Sequence, residues 1–380
     1  MIKSYKIRLY PTKEQEQLMW KHVGSCRFIW NWMLAKQEEL YKQGEKHLSG
    51  FDMMRLLVSL KNKKEHLWLK EVSNTSLRII CSDLDKAYKM LFKKAGGFPK
   101  FKSRKRSKPN FPIRSDRFYF KNDKILILEK IGKVRYKTDF AFKYGKEACK
   151  FTNARVSYIN GKWILSFGVE CESQVHELND ISMGIDLGVK DLAIVEYNGE
   201  PLVFHNINKS KQMRELGKRI RHLQRSISRK YDANRIGKKY NKTKNIERQE
   251  ERLRELRARQ SNIRRNYIHQ TTHKLVSLLP KRIVIEDLNV QGMMKNRHLS
   301  EAVQEQCFYE FIRQMEYKCA WNGIELVKAD RFYPSSKTCS GCGCIKSDLK
   351  LSDRTYHCSD CGLVIDRDYN AAINLSRYVA

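Results

Sequence analysis

Three acidic side chains end or follow apolar segments in separate parts of the chain. Asp186 lies in an apolar run, Glu286 closes the β-branched run 283–285, and Asp368 leads into an Ala-rich helical segment. Singly, each could be a turn residue or a helix cap. Burying a carboxylate in an apolar strand is costly without a cation, and Mg²⁺ prefers oxygen ligands. Because two such ions roughly 4 Å apart promote phosphodiester hydrolysis, the pattern predicts a nuclease site holding two Mg²⁺ ions.

Four cysteines form a second chemical pattern. Cys339 and Cys342 make one C-x2-C pair, Cys358 and Cys361 make another, and 15 residues separate the pairs. This spacing is typical of one structural zinc ion bound by four thiolates, with a redox pair as the alternative. Cys344 is a spare cysteine that could compete for the ion. We expect the zinc module to stiffen the loop before the third carboxylate.

The charge balance indicates a polyanionic partner. The 380 residues include 75 Lys and Arg against 42 Asp and Glu, a formal net charge of +33. Such an excess favours nucleic acid, although a ribosome-associated or non-specifically adhesive protein would show the same balance. We expect neither a signal peptide nor a membrane span. The expected location is the cytoplasm of a bacterium or archaeon, at the nucleoid when DNA is bound.

The first half of the chain alternates between helical and strand-like patterns. Residues 5–10 have the period of a half-buried strand, and Thr12 with Gln15 makes a capping box that begins a helix. Helical patterns continue to about residue 92, and a basic connector covers 96–109. Alternating runs over 111–171, with an Asn-Gly turn at 160–161, indicate strands. Together they predict a small β-barrel completed by the first strand, with the helices of 11–95 inserted.

The second half predicts mixed helices and strands. Two strands occupy 181–198 with a turn at 188–190, and a long helical pattern covers 209–265. An apolar helix at 273–279, a strand at 282–286, a helix at 303–321 and a strand at 324–328 follow. The 209–265 segment contains 21 basic and 6 acidic residues, which predicts nucleic-acid contact. The candidate contact residues are Arg219, Arg221, Arg225, Arg229, Lys238 and Lys239.

The order of motifs resembles the TnpB family of transposon-encoded RNA-guided nucleases, which are similar to type V CRISPR effectors. The resemblance covers nearly the whole chain, through the segments 5–12, 98–103, 184–188, 285–288, 332–339 and 366–372. It implies that Asp186, Glu286 and Asp368 are the catalytic carboxylates of a RuvC-like domain. Asp368 is preferred to Asp366 because it directly precedes the Tyr-Asn-Ala-Ala run. Asn266 stands where the family usually has an acidic residue, and no long C-terminal tail is expected.

The resemblance also implies the architecture and the partners. The expected fold class is multidomain α/β: an RNase H-like (RuvC) nuclease domain with an inserted zinc ribbon, plus a small wedge-type β-barrel with an inserted helical recognition lobe. The expected partners are a guide RNA and double-stranded target DNA with a short flanking motif. The expected boundaries are 1–10 with 111–175 for the wedge, 11–110 for the recognition lobe and its basic connector, 181–336 with 363–380 for the nuclease domain, and 337–362 for the zinc ribbon.

Two other functions remain open at this stage. A RuvC-like fold alone also permits a nuclease that cuts branched DNA without a guide. A non-catalytic, RNA-guided DNA-binding repressor is the second alternative. Three intact carboxylates disfavour the repressor, because buried acidic groups beside a phosphate backbone would weaken binding.

Overall fold

The computed structural model describes residues 2–138, 140, 151–171, 176–237, 239–350 and 353–379. The chain forms two compact units, Met1–Glu172 and Ser173–Ala380. Of the predicted nucleic-acid contacts, Lys238 and the side chain of Lys239 lie outside the described residues. No helix in the described ranges is long and apolar enough to cross a membrane.

The first unit contains a seven-stranded antiparallel sheet. Its strands are β1 (Ile2–Tyr10), β2 (Asn110–Pro112), β3 (Phe118–Asn122), β4 (Ile125–Leu128), β5 (Gly132–Lys137), β6 (Phe151–Ile159) and β7 (Lys162–Glu170). The order is β2-β6-β7-β1-β5-β4-β3. Asn160 and Gly161 have φ of 50° and 77° in the β6–β7 turn, as the Asn-Gly pair predicted. Among the described residues β2 and β3 end the sheet, so closure into a barrel stays a prediction.

Three α-helices follow β1 in the sequence and precede the other strands: α1 (Lys13–Lys42), α2 (Gly50–Asn62) and α3 (Asn74–Phe92). The predicted capping box begins α1, since the Thr12 hydroxyl accepts from the Gln15 amide and the Gln15 side chain accepts from the Thr12 amide. Because β1 pairs with both β5 and β7, the three helices are inserted in the sequence between β1 and the strands with which it pairs.

The second unit contains a mixed five-stranded sheet in the order β10-β9-β8-β13-β14. Strands β8 and β9 are antiparallel, whereas β13 runs parallel to both β8 and β14. The third strand, β10, was not predicted. The strands of this unit are β8 (Asn179–Leu187), β9 (Asp191–Tyr197), β10 (Glu200–His205), β11 (Arg235–Ile236), β12 (Lys239–Tyr240), β13 (Pro280–Glu286), β14 (Glu325–Ala329), β15 (Thr355–His357) and β16 (Val364–Asp366).

The helices of the second unit correct three sequence predictions. They are α4 (Lys211–Ala233), α5 (Lys244–Ser277), α6 (Val290–Lys295), α7 (Ser300–Gln306), α8 (Phe308–Asn322) and α9 (Arg367–Ser376). The long helical pattern predicted over 209–265 forms two helices, because the β11–β12 hairpin, with Gly237 at φ 58°, separates α4 from α5. The helix predicted at 273–279 is the end of α5. The one predicted at 303–321 is divided at Cys307, whose φ is 55°.

The break at Cys307 has a local cause. The buried side chain of Gln306 donates to the carbonyl oxygens of Gly188, at 2.9 Å, and Val189, at 3.2 Å. These bonds hold the end of α7 against the turn after β8. A residue in the left-handed region interrupts the helical hydrogen bonds, so α8 begins afresh at Phe308. Periodicity alone does not detect such a break, since apolar residues continue on both sides.

Candidate functional site

Two of the predicted carboxylates lie at the ends of neighbouring parallel strands. Ile185 of β8 pairs with Ile285 of β13, so the next residue on each strand is Asp186 and Glu286. Both acidic residues are half-buried, while Ile185 and Ile285 are fully buried. The apolar runs therefore fix the two strands in the core and leave the carboxylates at the strand ends.

The third carboxylate, Asp368, lies in the first turn of α9, which packs directly on β8. A Cβ atom at Gly184 would overlap the backbone at Ala372 and Ser376, so glycine allows this close approach. The hydroxyl of Ser182 also donates to the carbonyl of Ser376 at 2.6 Å. The sequence segment 184–188 thus supplies both an acidic residue and the space that α9 requires.

Asp366 and Asp368 have different surroundings. The Asp366 carboxylate caps α9 by accepting from the backbone amides of Asp368, at 2.9 Å, and Tyr369, at 3.1 Å. Asp368 instead binds Arg367, whose Nη2 lies 2.8 Å from its Oδ1, while Arg354 lies 3.9 Å from its Oδ2. Capping occupies the Asp366 side chain, whereas Asp368 keeps a half-buried carboxylate with basic neighbours.

The electrostatics show that the three carboxylates interact. Burial raises the pKa of Asp186 well above its usual value, and the negative charges of Glu286 and Asp368 raise it further. Burial also raises the pKa of Glu286, against the lowering effect of a 2.5 Å hydrogen bond from the Ser335 hydroxyl. Groups that repel one another in this way are stabilised as anions by a cation. The oxygen donors and their mutual repulsion fit a hard divalent ion.

The four predicted cysteines come together in a cluster that could hold a metal ion. Their sulfur atoms all lie within 4.8 Å of one another, and the Sγ–Sγ distances are 3.6 Å for Cys339 with Cys361 and for Cys342 with Cys358. Four sulfurs about 2.3 Å from a tetrahedral zinc ion would stand roughly 3.8 Å apart. Within the described ranges, the three carboxylates do not form so tight a group.

Two glycines close the cysteine turns, and sequence reasoning missed them. Gly343 and Gly362 each follow the second cysteine of a pair, with φ of 80° and 75°. Their amides donate to the carbonyls of Cys339 and Cys358. Cys344 lies outside the group of four. The Cys344 thiol forms a hydrogen bond with Asp360 instead.

Two asparagines connect α9 to the loop that enters the cysteine cluster. Buried Asn370 accepts from the amide of Ser340, at 2.9 Å, and donates to the carbonyl of Thr338, at 2.7 Å. Asn374, one turn later, donates to the carbonyls of Ser335 and Thr338. The same helix therefore positions Asp368 and holds this loop. The signal was the spacing of two asparagines four residues apart in an Ala-rich helix.

The four predicted arginines are all exposed on α4. The opposite face of α4 buries Met213, Leu216 and Ile220, which pack against α5 residues such as Leu256 and Ile263. No ion pair of Arg219, Arg221, Arg225 or Arg229 occurs in the part of the chain that the structure describes. Arg221, Arg225 and Arg229 recur every four residues, so one stripe of the helix carries like charges.

Three known protein families match parts of the chain. They are described as "Cas12f1-like, TNB domain" over residues 308–375, "Helix-turn-helix domain" over 1–46, and "Probable transposase" over 166–297. The second description does not fit the local fold, since residues 1–46 contain one strand and one continuous helix, α1.

Two curated relatives match along almost the whole chain. A Streptomyces pristinaespiralis protein named "Putative RNA-guided DNA endonuclease" is 29% identical over 98% of this chain and 88% of that protein. An Escherichia coli (strain K12) protein named "Putative RNA-guided DNA endonuclease InsQ" is 30% identical over 98% of this chain and 91% of that protein. This chain belongs to the TnpB family.

The fold of this TnpB protein is that of a type V effector. A solved Cas12f1 chain, in a complex with single guide RNA and target DNA, matches with a TM-score of 0.58 at 15% identity. The match covers 99% of the TnpB chain and 98% of the Cas12f1 chain. The similarity concerns the fold, which has the mixed α/β content that the sequence predicted.

Proposed function

We propose that this protein is an RNA-guided DNA endonuclease that hydrolyses target DNA in a metal-dependent reaction. The observation that carries the proposal is the meeting of Asp186 and Glu286 on parallel strands with Asp368 on the helix packed against them. The names of the full-length relatives support the same activity. In this proposal the sheet β10-β9-β8-β13-β14 with α9 is the core of an RNase H-like (RuvC) domain.

The three carboxylates would hold the catalytic ions, for which we propose two Mg²⁺. When bound, such ions polarise the phosphate, activate water and stabilise the leaving oxygen. The protein prepares this site in advance. Ser335 fixes Glu286 through its hydroxyl, Arg367 orients Asp368, and Gly184 allows α9 to approach β8. Preorganised groups of this kind avoid reorganisation during the reaction.

We further propose that the cysteine group binds one structural zinc ion. The sulfur spacing close to that of a tetrahedral site supports this assignment. The short strands β15 and β16 pair antiparallel and flank the second cysteine pair, and α9, which carries Asp368, begins directly after β16. The Asn370 side chain binds the backbone of Ser340, between the first two cysteines. Zinc would therefore stabilise α9, the helix that carries Asp368.

The exposed arginines of α4 are proposed to contact phosphates of the guide RNA or of the guide–target duplex. Base pairing would then supply the sequence choice, while the protein reads backbone shape and a short flanking motif. Within this proposal the domains keep the expected boundaries: 1–10 with 111–175 as the wedge, 11–110 as the recognition lobe, 181–336 with 363–380 as the nuclease domain, and 337–362 as the zinc ribbon.

A cleavage assay on the purified RNA–protein complex tests this function. Asp186→Asn and Glu286→Gln should each abolish cutting of a matched double-stranded target, because each removes a negatively charged metal ligand. Target binding, measured by gel shift, should persist. EDTA should stop the wild-type enzyme and added Mg²⁺ should restore it. Undiminished cleavage by either variant, or in EDTA, would refute the proposed site.

A further inference from the structure

A cavity of about 420 Å³ lies in the first unit between α1 and the basic connector that precedes β2. Its wall includes Arg27, Lys102, Arg104 and Lys108, and none of the described acidic side chains lines it. The volume falls in the range of roughly 300–1,000 Å³ that is typical of small-ligand sites. An anionic ligand the size of one nucleotide fits this volume and charge.

The inner part of the cavity is apolar and aromatic. Val23, Cys26 and Ile80 are buried beneath it, and the half-exposed ring of Trp20 forms one side. Trp163 packs against that ring, with its own ring centroid 5.1 Å away, so the Trp20 side chain is held in place. A flat nucleobase stacks on an aromatic ring whatever its sequence. The cavity therefore combines a surface for a base with cations for a phosphate.

Gly24 keeps this space open. It lies in the interior of α1, where glycine costs about 1 kcal/mol relative to alanine. A Cβ atom built at Gly24 would have no neighbour within 4 Å among the residues that the structure describes, so their packing does not require glycine. The missing side chain instead leaves room in the cavity beside Trp20.

The connector is fixed against α1, so the cavity is preformed. The Asn31 side chain donates to the carbonyl of Lys102 at 2.9 Å and accepts from its amide at 2.8 Å. The Trp30 indole donates to the carbonyl of Lys100 at 3.0 Å. The Lys102 ammonium lies 3.5 Å from the centroid of the Trp30 ring. Arg104 and Lys108 stay exposed at the rim, where a phosphate would meet them.

We propose that this cavity binds one unpaired nucleotide, with its base between Trp20 and Gly24 and its phosphate on Arg104 and Lys108. The inference rests on the proposed function in taking the bound polymer to be a guide or target strand. RNA and DNA share the chemistry that the cavity recognises. An unpaired base is required, since a base inside a duplex is stacked on its neighbours and cannot enter.

Photo-crosslinking of the full chain tests the site. The probes are eight-nucleotide single strands with one central 5-iodouracil, one of RNA and one of DNA, and the crosslinked peptides are mapped by mass spectrometry. We expect crosslinks in the peptides that carry Trp20 or the connector. The strand that crosslinks more strongly identifies the source of the nucleotide. The same probe in a duplex should not crosslink there.

Two matched pairs of variants make the test specific. Gly24→Leu fills the cavity without changing charge, and it should reduce the crosslink at this site by about fivefold or more, as expected for loss of base stacking. Ala35→Leu, on exposed α1 surface outside the cavity, should have no effect. Arg104→Ala with Lys108→Ala should weaken the crosslink more than Lys105→Ala with Arg106→Ala, which removes the same charge from residues outside the cavity.

A crosslink that is absent from these peptides, or unchanged in Gly24→Leu, would overturn the proposal. The readout is binding at one place, so it does not depend on cleavage. If the cavity crosslinks as expected in a protein that fails to cut a matched target, the nuclease function fails and the nucleotide site stands.

Discussion

Of the two aspartates in the last motif, Asp366 performs a structural task and Asp368 faces the other carboxylates. Asp366 accepts two backbone amides at the start of α9. The charge of Asp368 raises the pKa of both Asp186 and Glu286. The sequence favoured Asp368 only because it precedes the Tyr-Asn-Ala-Ala run. The hydrogen bonds now give a physical basis for the same preference.

Substitution should separate these two roles. Asp366→Ser replaces one good helix cap with another, so we expect cleavage within a few-fold of wild type. Asp368→Asn retains the size of the side chain but removes its charge, and cleavage should be lost while the thermal unfolding temperature stays close to wild type. The measurement is single-turnover cleavage of a matched target. Equal losses for both variants would contradict the division of roles.

At the candidate site, the sequence predicted those residues whose types are unusual at their positions. Asp186 and Glu286 were identified because a carboxylate in a buried strand is unusual. Ser335 and Arg367 were missed, because serine and arginine are common on surfaces and their roles depend on which side chains the fold brings near them. The four cysteines of the cluster could be picked out from their spacing alone, whereas only the fold shows that Cys344 lies outside that cluster.

Among the elements, the contact between α9 and β8 brings the third carboxylate to the sheet. Gly184 is the position where that contact is closest. The contact joins residues far apart in the sequence, so periodicity could not reveal it. The same limitation explains the undetected break at Cys307, which follows from hydrogen bonds to the turn after β8.

Adding one methyl group at this contact should lower both the stability of the protein and its cleavage activity. Gly184→Ala forces α9 away from β8, and overpacking of this kind costs about 1–3 kcal/mol. We expect a lower unfolding temperature and a large loss of cleavage, because Asp368 moves with the helix. Gly217→Ala in α4 is the control, since its Cβ would meet only the Arg221 side chain at 3.8 Å. It should be neutral or stabilising by about 0.5–1 kcal/mol. A fully active Gly184→Ala protein would exclude this role for the glycine.

The cysteine cluster should stabilise α9 through the Asn370 bonds. Cys339→Ser removes one ligand, so elemental analysis should find less than one zinc per chain. Proteolysis should then cut the C-terminal region faster, because metal binding contributes to folding. Cleavage of DNA should fall although no carboxylate is changed. Cys344→Ser should keep both zinc and activity. A wild-type protein that purifies without zinc would contradict the assignment.

For the molecule as a whole, the basic residues proposed to bind nucleic acid and the acidic residues proposed to cut it lie on different elements. The net charge of +33 contrasts with the three carboxylates of the candidate site. The exposed arginines of α4 belong to a helix that contributes none of these carboxylates. A polyanion bound by such residues releases counterions, and its affinity falls with salt. The overall composition predicted this partner class, but only the packing of α4 on α5 shows which face is free.

The salt dependence of RNA binding should report on that face. Replacing Arg219, Arg221, Arg225 and Arg229 by alanine removes four phosphate contacts, so the slope of log affinity against log salt should decrease by roughly 3 for single-stranded RNA. The control removes equal charge from exposed residues elsewhere, at Lys13, Lys42, Lys86 and Lys93. A similar decrease in that control would show that net charge alone accounts for binding.

The dependence of cleavage on a guide tests the central claim most directly. Protein freed of RNA is mixed with a double-stranded target and with a transcript whose 3′ end matches that target, or with the same transcript scrambled at that end. Mg²⁺ is present throughout, and products are resolved on a denaturing gel. We expect cleavage only with the matching transcript, because base pairing supplies the sequence choice. Cleavage without RNA, or with the scrambled transcript, would contradict RNA guidance and leave a metal-dependent nuclease that acts without a guide.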